Sequence, residues 1–375
     1  MGRRFRTRVL SFQAPGVASN HRKILVTGGA GFVGSNVALS LKRDDPGRDV
    51  VALDNLKRRG SELTLERLRA GGVRFEHGDI RNAEDLEAAG ECDLLVECSA
   101  EPSVHAGYGG SPAYLINTNL TGTVHCLEHA RRHGSDVVFL STSRVYPIAP
   151  LRALPLIEDA DRLVVAPGAA GRGWSERGIS EDFSLGGSRS LYGATKLSSE
   201  LLAEEYRAMY GLRVIVNRCG VLTGPWQMGK VDQGVVVLWM ARHVFGGRLA
   251  YMGFGGQGKQ VRDVLHVEDL IDLLRLQLAD VDRHSGQVYN VGGGHGVSVS
   301  LRELTRACER ISGRKLEIGS DAGTRDADVP YYVTDCSLVT RATGWTPRRP
   351  VDAILTDIHS WLMTHRDVLE PVLGR

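Results

Sequence analysis

Short apolar runs alternate with helical patterns over the first two-thirds of the chain. Each run is rich in valine and leucine and is bounded by glycine or polar residues, which is typical of buried strands. We predict strands just before Gly28 and at residues 49–53, 73–77, 92–98, 136–140 and 212–218. Helices are predicted over residues 61–70 and 112–133 and from Ser190 through Met209. This alternation predicts an α/β fold with a doubly wound parallel sheet.

The regular alternation ends near residue 220. Farther on, we predict helices at residues 235–245, 267–278 and 301–311, strands at 249–252 and 287–291, and a glycine-rich loop at 253–263. The pattern indicates a larger domain over residues 21–220, to which residues 264–292 return, and a smaller α/β domain over residues 221–375. Residues 1–20 contain four arginines and are expected to form a flexible basic arm.

One segment, residues 147–189, shows little sustained periodicity and contains proline, glycine and charged residues. Connections of this length are usually functional lids or disordered linkers. We therefore predict that the segment helps to exclude water from a site.

Composition narrows the classes of protein that the chain can represent. It has 375 residues, a net charge of +2, and basic residues interspersed with acidic ones. This distribution argues against nucleic-acid or membrane binding, and no apolar run approaches a membrane span. The six cysteines are scattered, which predicts buried free thiols in a reducing cytoplasm. The first 20 residues also lack the apolar core of a secretory signal.

The first predicted strand leads directly into Gly28, Gly31 and Gly34, and a helical pattern follows. In Rossmann-type folds such glycines allow a tight turn, close approach of the backbone to a pyrophosphate, and close packing of helix on strand. The helix N-terminus then faces the phosphates. Asp54 ends the next strand, where a carboxylate binds ribose hydroxyls and disfavours a 2′-phosphate. These residues predict NAD as the cofactor.

Tyr192 and Lys196 lie four residues apart, which places both on one face of a predicted helix. Beside a bound dinucleotide, the Lys196 ammonium would lower the pKa of the phenol and bond the nicotinamide ribose. Tyr192 would then act as a base on a substrate hydroxyl. Thr142 follows the strand at residues 136–140 and would bond the same substrate oxygen. We expect both Thr142 and Tyr146 beside the cofactor.

Several further motifs accompany these residues. They are Asp54-Asn-Leu56, Gly78-Asp-Ile80, Asn119-Leu-Thr-Gly-Thr123, Ser141-Thr142 with Val145-Tyr146, Gly256 to His266 with Asp269, and Tyr289-Asn-Val-Gly292. With the glycine turn and the Tyr-x-x-x-Lys pair, they resemble the extended short-chain dehydrogenase/reductase family, the NAD-dependent nucleotide-sugar epimerases and dehydratases. The resemblance covers the chain from Lys23 to about Trp361. It implies that residues 21–220 bind NAD and that residues 221–375 mainly bind a nucleotide sugar.

The resemblance also implies roles for individual residues. Thr142, Tyr192 and Lys196 would be catalytic. The residues expected to contact NAD are Gly28, Gly31, Phe32, Val33, Gly34, Asp54, Asn55, Asp79, Ile80, Ser99, Ala100, Asn119, Tyr192 and Lys196. Those expected to contact the nucleotide sugar are Ser141, Thr142, Arg144, Arg262 and Arg325, with Arg262 and Arg325 on the diphosphate, to which guanidinium groups donate bidentately. A homodimer, paired through the helix after Asn119 and the helix near Tyr192, is expected on the same basis.

One departure from the family's sequence pattern argues against one of the family's reactions, 4,6-dehydration. The 4,6-dehydratases carry an Asp-Glu pair after the catalytic threonine, whereas this chain has Ser143-Arg144. Thr142 to Tyr146, Glu181 to Phe183 and Lys230 to Gly234 are most similar to the CDP-tyvelose (CDP-paratose) 2-epimerases. The resemblance thus implies inversion at C2 of a CDP-hexose through a 2-keto intermediate. A UDP-hexose 4-epimerase, another nucleotide-sugar oxidoreductase and a non-catalytic NAD sensor remain as alternatives.

His125-Cys-Leu-Glu-His129 matches the His-x-x-Glu-His pattern of some zinc peptidases, and His133 extends it at helical spacing. Because the run lies within a helix of the dinucleotide fold, we interpret it as a solvated or subunit-facing stripe and predict no metal site. Trp226, Trp239 and Trp345 are expected to be packing residues, with substrate contact as the alternative for Trp226, which follows a strand-end loop. His105 and His266 are interpreted as structural.

Overall fold

A computed structural model describes residues 19–229 and 233–374. Nearly all of the expected basic arm, including its four arginines, and residues 230–232 of the Lys230–Gly234 motif lie outside the described residues.

The strands of the described chain are, in order, β1 (Lys23–Thr27), β2 (Asp49–Asp54), β3 (Arg74–His77), β4 (Leu94–Glu97), β5 (Asp136–Thr142), β6 (Leu156–Asp159), β7 (Arg162–Val165), β8 (Trp174–Ser175), β9 (Gly178–Ile179), β10 (Val214–Cys219), β11 (Val221–Thr223), β12 (Leu249–Met252), β13 (Val261–His266), β14 (Val288–Val291), β15 (Ser298–Ser300), β16 (Ile318–Asp321) and β17 (Tyr331–Tyr332).

The α-helices are α1 (Phe32–Asp44), α2 (Leu65–Ala70), α3 (Ala83–Ala89), α4 (Ala113–Ile116), α5 (Gly122–His133), α6 (Ile148–Arg152), α7 (Leu191–Tyr210), α8 (Val235–Phe245), α9 (Val267–Ala279), α10 (Val281–His284), α11 (Leu301–Ser312), α12 (Ser337–Thr343), α13 (Val351–Thr364) and α14 (Arg366–Leu373).

Seven parallel strands form the central sheet, in the order β14-β10-β5-β4-β1-β2-β3. The chain runs outward from β1 to one edge and then returns to β4, which is the doubly wound topology predicted from the alternation. The strands are apolar along most of their length because helices cover both faces. Helices α1 and α9 pack on one face, while α3, α5 and α7 pack on the other.

A second, smaller layer of structure follows β10. Strand β13 pairs with β11 and β17 in parallel and with β15 antiparallel, and β12 pairs with β16. Helices α8, α11, α13 and α14 surround a separate apolar core. Residues 253–263 were predicted as a loop, and this prediction is wrong at its end, because Val261–Asp263 belong to β13 and are held by β15 and β17.

The aperiodic segment 147–189 is more ordered than a linker. It contains α6, the hairpin β6–β7 and the short hairpin β8–β9. Buried Leu151, Val165 and Phe183 pack with Tyr332 of β17 in a further apolar core. The segment lacks an obvious period because its apolar side chains are spread over several short elements and the turns between them.

The predicted helix over residues 112–133 is interrupted. Helix α4 is followed by a π-helical turn at Asn117–Thr121 before α5 begins at Gly122. Insertions of this kind are frequent at functional sites. Here the turn carries Thr118 and Asn119.

All six cysteines lie in the described part of the chain and are free. No helix among the described residues has both the length and the apolar character needed to cross a membrane.

Candidate functional site

A large cavity of about 1060 Å³ lies at the carboxyl ends of the central strands, between the sheet and the smaller layer. Its walls come from the loops after β1, β2, β4 and β5, from the start of α7, and from residues beyond 220. Ligands of doubly wound sheets bind at this edge. The volume suits an extended ligand or two ligands held together.

The glycine turn lines one side of this cavity. Gly28 has a φ of +64°, a conformation that a side chain would strain. A Cβ on Gly34 would lie 2.1 Å from the carbonyl oxygen of Gly28, so only glycine allows α1 to approach the strand this closely. Gly31 caps α1, and the first turn of that helix contains no acidic residue. The turn therefore fits a pyrophosphate, because the backbone approaches the cavity closely and the first turn of α1 adds no negative charge to the helix N-terminus.

Phe32 and Val33 also line the cavity. At the end of β2, Asp54 accepts hydrogen bonds from the backbone amides of Ala30, at 3.1 Å, and Leu56, at 2.8 Å. Burial raises the pKa of this carboxyl group. Asp54 thus joins β2 to the glycine turn while lining the cavity.

Asn55 and Asp79 lie side by side on the cavity wall, where the Asn55 amide donates to Asp79 at 2.8 Å. Although burial opposes its ionisation, hydrogen bonds from Arg81 and Asn55 lower the pKa of Asp79 to about 2. Ile80, Ser99 and Ala100 complete this part of the wall.

Asn119 lies behind the wall. It is buried, and its side chain accepts from the backbone amide of Glu101 at 2.7 Å and donates to the Glu101 carbonyl at 3.0 Å. The cavity is lined instead by Glu101 and by Thr118. The contact of Asn119 with the cofactor therefore stays a prediction, and in this structure its side chain bonds the backbone of Glu101. Its amide holds the loop that carries Ser99 and Ala100.

Thr142 and Tyr192 meet at the centre of the cavity. Thr142 ends β5, and its hydroxyl accepts from the backbone amide of Arg144 at 3.2 Å. Tyr192 lies in the first turn of α7, which Ser190 caps by accepting from the Gly193 amide. Burial raises the pKa of the Tyr192 phenol to about 12, while its hydrogen bond to Thr142 and the charge of Arg144 oppose this rise.

Lys196 follows Tyr192 by one helical turn but is buried behind the cavity wall. Its Nζ atom lies 3.9 Å from the centroid of the Phe139 ring, and only 2% of the residue is exposed. Burial lowers the pKa of Lys196, whereas the nearby Glu97 and Glu200 raise it. Lys196 and Tyr192 lie in the same helix, α7, and the contact of Lys196 with NAD stays a prediction.

Ser141 and Tyr146 flank Thr142 along the chain but differ in orientation. Ser141 lines the cavity and donates a hydrogen bond to Glu200, which in turn pairs with Arg218. Tyr146 is buried away from the large cavity, where its hydroxyl donates to Asn290 at 2.8 Å. The prediction that Tyr146 lies beside the cofactor is therefore wrong, because the turn after Thr142 directs its ring into the apolar core of segment 147–189.

Three arginines line the opposite end of the cavity: Arg144, Arg262 and Arg325. Arg144 donates to the carbonyl of Ala327 at 3.1 Å, and Arg262 donates to that of Val329 at 2.6 Å. Burial lowers the pKa of Arg262 to about 9, and the positive charge of Arg144 adds to this effect. Their hydrogen bonds among the described residues go to backbone carbonyls or a thioether rather than to carboxylates. A bound anion would therefore compete with backbone carbonyls for these donors, beside the negative charge of Asp328 on the same wall.

Sequence reasoning missed several cavity residues. Trp239 and His105 line it, although they were interpreted as packing or structural residues, and Trp226 lines it as its alternative interpretation allowed. Arg58, Glu101, Arg248 and Asp328 also line the wall without having been singled out. The position of Trp226 after β11 was a usable signal. Trp345 and His266 are buried as expected: the Trp345 indole donates to a backbone carbonyl, and His266 caps α9.

The His-x-x-Glu-His pattern does not assemble as in a zinc peptidase. His125 contacts the Ile80 carbonyl at 2.8 Å, while Glu128 accepts from the Tyr206 hydroxyl at 2.6 Å. His129 and His133 instead face Glu87 of α3.

The sheet order, the glycine turn and the acidic residues at its strand ends define a dinucleotide-binding protein of the Rossmann type. The profile of the NAD dependent epimerase/dehydratase family matches residues 24–292, and the chain belongs to this family.

Three similar proteins catalyse three different reactions: a 2-epimerisation, a 4-epimerisation and a 4,6-dehydration. The chain is 30% identical to the CDP-paratose 2-epimerase of Salmonella typhi, over 90% of this chain and 98% of that enzyme. It is 29% identical to the UDP-glucose 4-epimerase of Erwinia amylovora, over 90% of this chain and 97% of that enzyme. A dTDP-glucose 4,6-dehydratase from Streptomyces venezuelae, solved with NAD bound, superposes with a TM-score of 0.73 at 27% identity, over 93% of this chain and 99% of that one.

The chain is therefore an enzyme of the class of NAD-dependent sugar-nucleotide epimerases and dehydratases. NAD is its cofactor. The glycine turn and the cavity have the shape and the donor groups that this cofactor requires.

Proposed function

We propose that this enzyme inverts C2 of a CDP-hexose by transient oxidation and hydride return. The observation that carries the proposal is the composition of the cavity around Thr142 and Tyr192. Ser143 and Arg144 follow Thr142 on the wall, in the place where the dehydratases carry a carboxylate pair. Loss of water needs such an acid, whereas epimerisation needs only a base and a group that steadies the oxygen. The similarity to a CDP-paratose 2-epimerase supports the choice of carbon and base.

NAD, when bound, accepts a hydride from the sugar carbon and returns it. Tyr192 removes the proton from the C2 hydroxyl, and Thr142 donates a hydrogen bond to the oxygen as it becomes a carbonyl. The 2-keto sugar would stay within the cavity and turn, so that the opposite face of C2 would be presented to the cofactor. Tyr192 gives the proton back at that stage, so the enzyme ends each cycle unchanged.

Arg262 and Arg325 are proposed to hold the diphosphate while the hexose turns. Planar guanidinium groups suit this role because they donate in pairs to phosphate oxygens. Binding energy located away from the reacting carbon lets the sugar change face without release of the nucleotide. Ser141 and Arg144 are proposed as further contacts to the sugar or its phosphates.

The NAD contacts are proposed to come from the wall residues identified above, with the Asn119 and Lys196 side chains acting from behind it. For Lys196, we propose that its charge supports the phenolate of Tyr192 across the helix turn. We also propose a cytoplasmic enzyme, in keeping with free cysteines, and a two-domain division at about residue 220.

The proposal is tested by measuring cofactor content and product together. The purified protein is denatured and the supernatant is assayed for NAD+ and NADH. The native enzyme is incubated with CDP-, UDP- and GDP-hexoses in deuterium oxide while NMR follows the ring protons. We expect co-purified NAD+ and inversion at C2 of the CDP-hexose with the carbon-bound hydrogen retained. A C4 product would establish a 4-epimerase instead, and stoichiometric NADH without inversion would establish a dehydrogenase.

The role of Tyr192 has its own test. Replacement of a general base typically lowers the rate by about 10²- to 10⁴-fold, and we expect Tyr192→Phe to lower kcat within that range. Cofactor content should stay near that of the unaltered enzyme. Tyr206→Phe, on the same helix but bonded to Glu128, serves as the control and should keep its activity. Equal kcat values for Tyr192→Phe and the unaltered enzyme would exclude Tyr192 as the base.

A further inference from the structure

Three candidate metal ligands meet between α3 and α5, on Glu87, His129 and His133. One ligand atom from each lies within 4.8 Å of the other two. His129 Nδ1 is 3.8 Å from Glu87 Oε1, and His133 Nε2 is 3.6 Å from Glu87 Oε2. We propose that these side chains bind a divalent transition-metal ion, with Zn²⁺ as the ion of first choice.

The strongest argument for a metal ion is that His129 is buried without a hydrogen-bond partner among the described residues. Its side chain is only 1% exposed, and neither ring nitrogen has a hydrogen-bond partner among the described residues. A buried polar group without a partner is destabilising, and such groups usually indicate a partner that is not part of the chain. An ion beside Glu87 would supply that partner to the nitrogen that faces the carboxylate.

The spacing of the ligand atoms suits the ion. With bonds of about 2.0–2.2 Å to nitrogen and oxygen, ligands around tetrahedral Zn²⁺ lie about 3.4 Å apart. The two measured separations are to different oxygens of Glu87, and one ligand atom from each of the three residues lies within 4.8 Å of the other two, so binding requires a rotation that draws these atoms closer. The Glu87 and His133 side chains are 43% and 26% exposed and can close that gap by rotation. Two imidazoles and one carboxylate form a donor set that Zn²⁺ and its neighbours in the first transition row prefer.

In the metal-free protein, Arg132 binds the carboxylate of Glu87 and so competes with a metal ion for it. It donates to Glu87 Oε1 at 2.7 Å and so occupies the carboxylate that the ion would use. Both partners of this ion pair are about half exposed, so the pair is weak and can be displaced.

An ion at this position would join α3 to α5. None of its three ligands lines the large cavity, so we assign it a stabilising role in the fold rather than a step in the reaction. This inference departs from the sequence-based prediction that no metal site exists. That prediction considered only residues of one helix, and Glu87 lies on another.

The test begins with protein stripped by a chelator. Isothermal titration with Zn²⁺ should show one equivalent bound per chain, and the melting temperature should rise with Zn²⁺ concentration because the ion binds the folded state. Co²⁺ should produce the visible absorption of a tetrahedral site. Glu87→Gln and His133→Ala should each weaken binding by more than the roughly 10- to 100-fold that loss of an outer-shell partner costs. Arg132→Ala should strengthen binding, because it frees Glu87.

His295→Ala is the matched control, since this exposed histidine lies in another part of the chain. It should bind the ion as the unaltered protein does. The proposal fails if the stripped protein shows no saturable Zn²⁺ binding, or if Glu87→Gln and His133→Ala bind as tightly as the control. The two test variants alter partly exposed side chains, so neither depends on refilling the buried space around His129.

Discussion

At the scale of single residues, the reactivity of the site depends on how Tyr192 is held. Its phenol lines the cavity, and burial raises its pKa to about 12. A base with so high a pKa is almost fully protonated near neutrality. The hydrogen bond to Thr142 and the charge of Arg144 act in the opposite direction. These two contacts are therefore central to any chemistry at Tyr192.

Thr142→Val should raise the pKa of Tyr192, because the hydrogen bond that stabilises the phenolate is lost. Activity requires the deprotonated phenol, so the rising limb of kcat/KM against pH should move to higher pH. The pH profile, followed into the alkaline range where a phenol with a pKa of about 12 titrates, measures this shift. Thr142→Ser keeps the hydroxyl and should restore the original profile. A valine variant with an unshifted profile would contradict the assignment.

A second residue-scale prediction concerns Gly34. Its added Cβ in Gly34→Ala would lie 2.1 Å from the Gly28 oxygen, so the glycine turn or α1 must move. Overpacking of this kind costs about 1–3 kcal/mol. We expect less NAD released per mole of denatured protein and a lower melting temperature. Gly296→Ala is the control, because open space surrounds Gly296. Normal NAD content in the Gly34 variant would show that the turn tolerates a side chain.

At the scale of elements, the segment 147–189 acts as a support for the arginine end of the cavity. Arg152 of α6 donates to the backbone carbonyls of Arg325, Asp326 and Asp328, at 2.8 to 3.1 Å. These bonds fix the loop from which Arg325 reaches the cavity. A segment expected to be a lid or linker thus also positions a proposed substrate contact.

Arg152→Ala should loosen that loop and weaken the grip of Arg325 on the substrate. Each of the three lost hydrogen bonds contributes about 0.5–1.5 kcal/mol, so even at the lower limit we expect KM to rise by about tenfold. The value of kcat should change little, because the diphosphate is held equally in the ground and transition states. Steady-state kinetics measures both. Arg172→Ala, an exposed arginine of the same segment, should leave KM unchanged. A fall in kcat alone would place Arg152 in a different role.

At the scale of the whole molecule, two packed layers share one cavity. The central sheet provides the glycine turn and Tyr192, while the smaller layer provides Arg262 and Arg325. One face of helix α7 packs on the central sheet. Apolar residues elsewhere on the same helix are exposed. Leu201, Met209 and Tyr210 are 64%, 67% and 52% exposed. We propose that a second copy of the chain covers them.

Leu201→Glu should convert the proposed dimer to a monomer, because it would place a charge in an apolar interface. Size-exclusion chromatography with light scattering gives the mass directly. The unaltered protein is expected at twice the mass of one chain and the variant at the mass of one. Leu276→Glu, at a 39% exposed leucine on α9, should remain dimeric. A monomeric unaltered protein would refute the proposal.

The sequence by itself determined the local elements and their order. The glycine turn, the alternating strands and helices, the doubly wound sheet and the shared helix of Tyr192 and Lys196 are all visible along the chain. They follow from short-range physics: backbone freedom at glycine, the periods of helix and strand, and the chirality of their connections.

Only the tertiary structure decided which way the side chains face and what they meet. It buries Lys196 beside Phe139, turns Tyr146 into an apolar core, and brings Glu87 to His129. It also orders segment 147–189 around residues of β13 and β17. Each of these outcomes depends on packing between elements far apart in the chain. No local period encodes such packing, because a side chain's environment is set by whichever element folds against it.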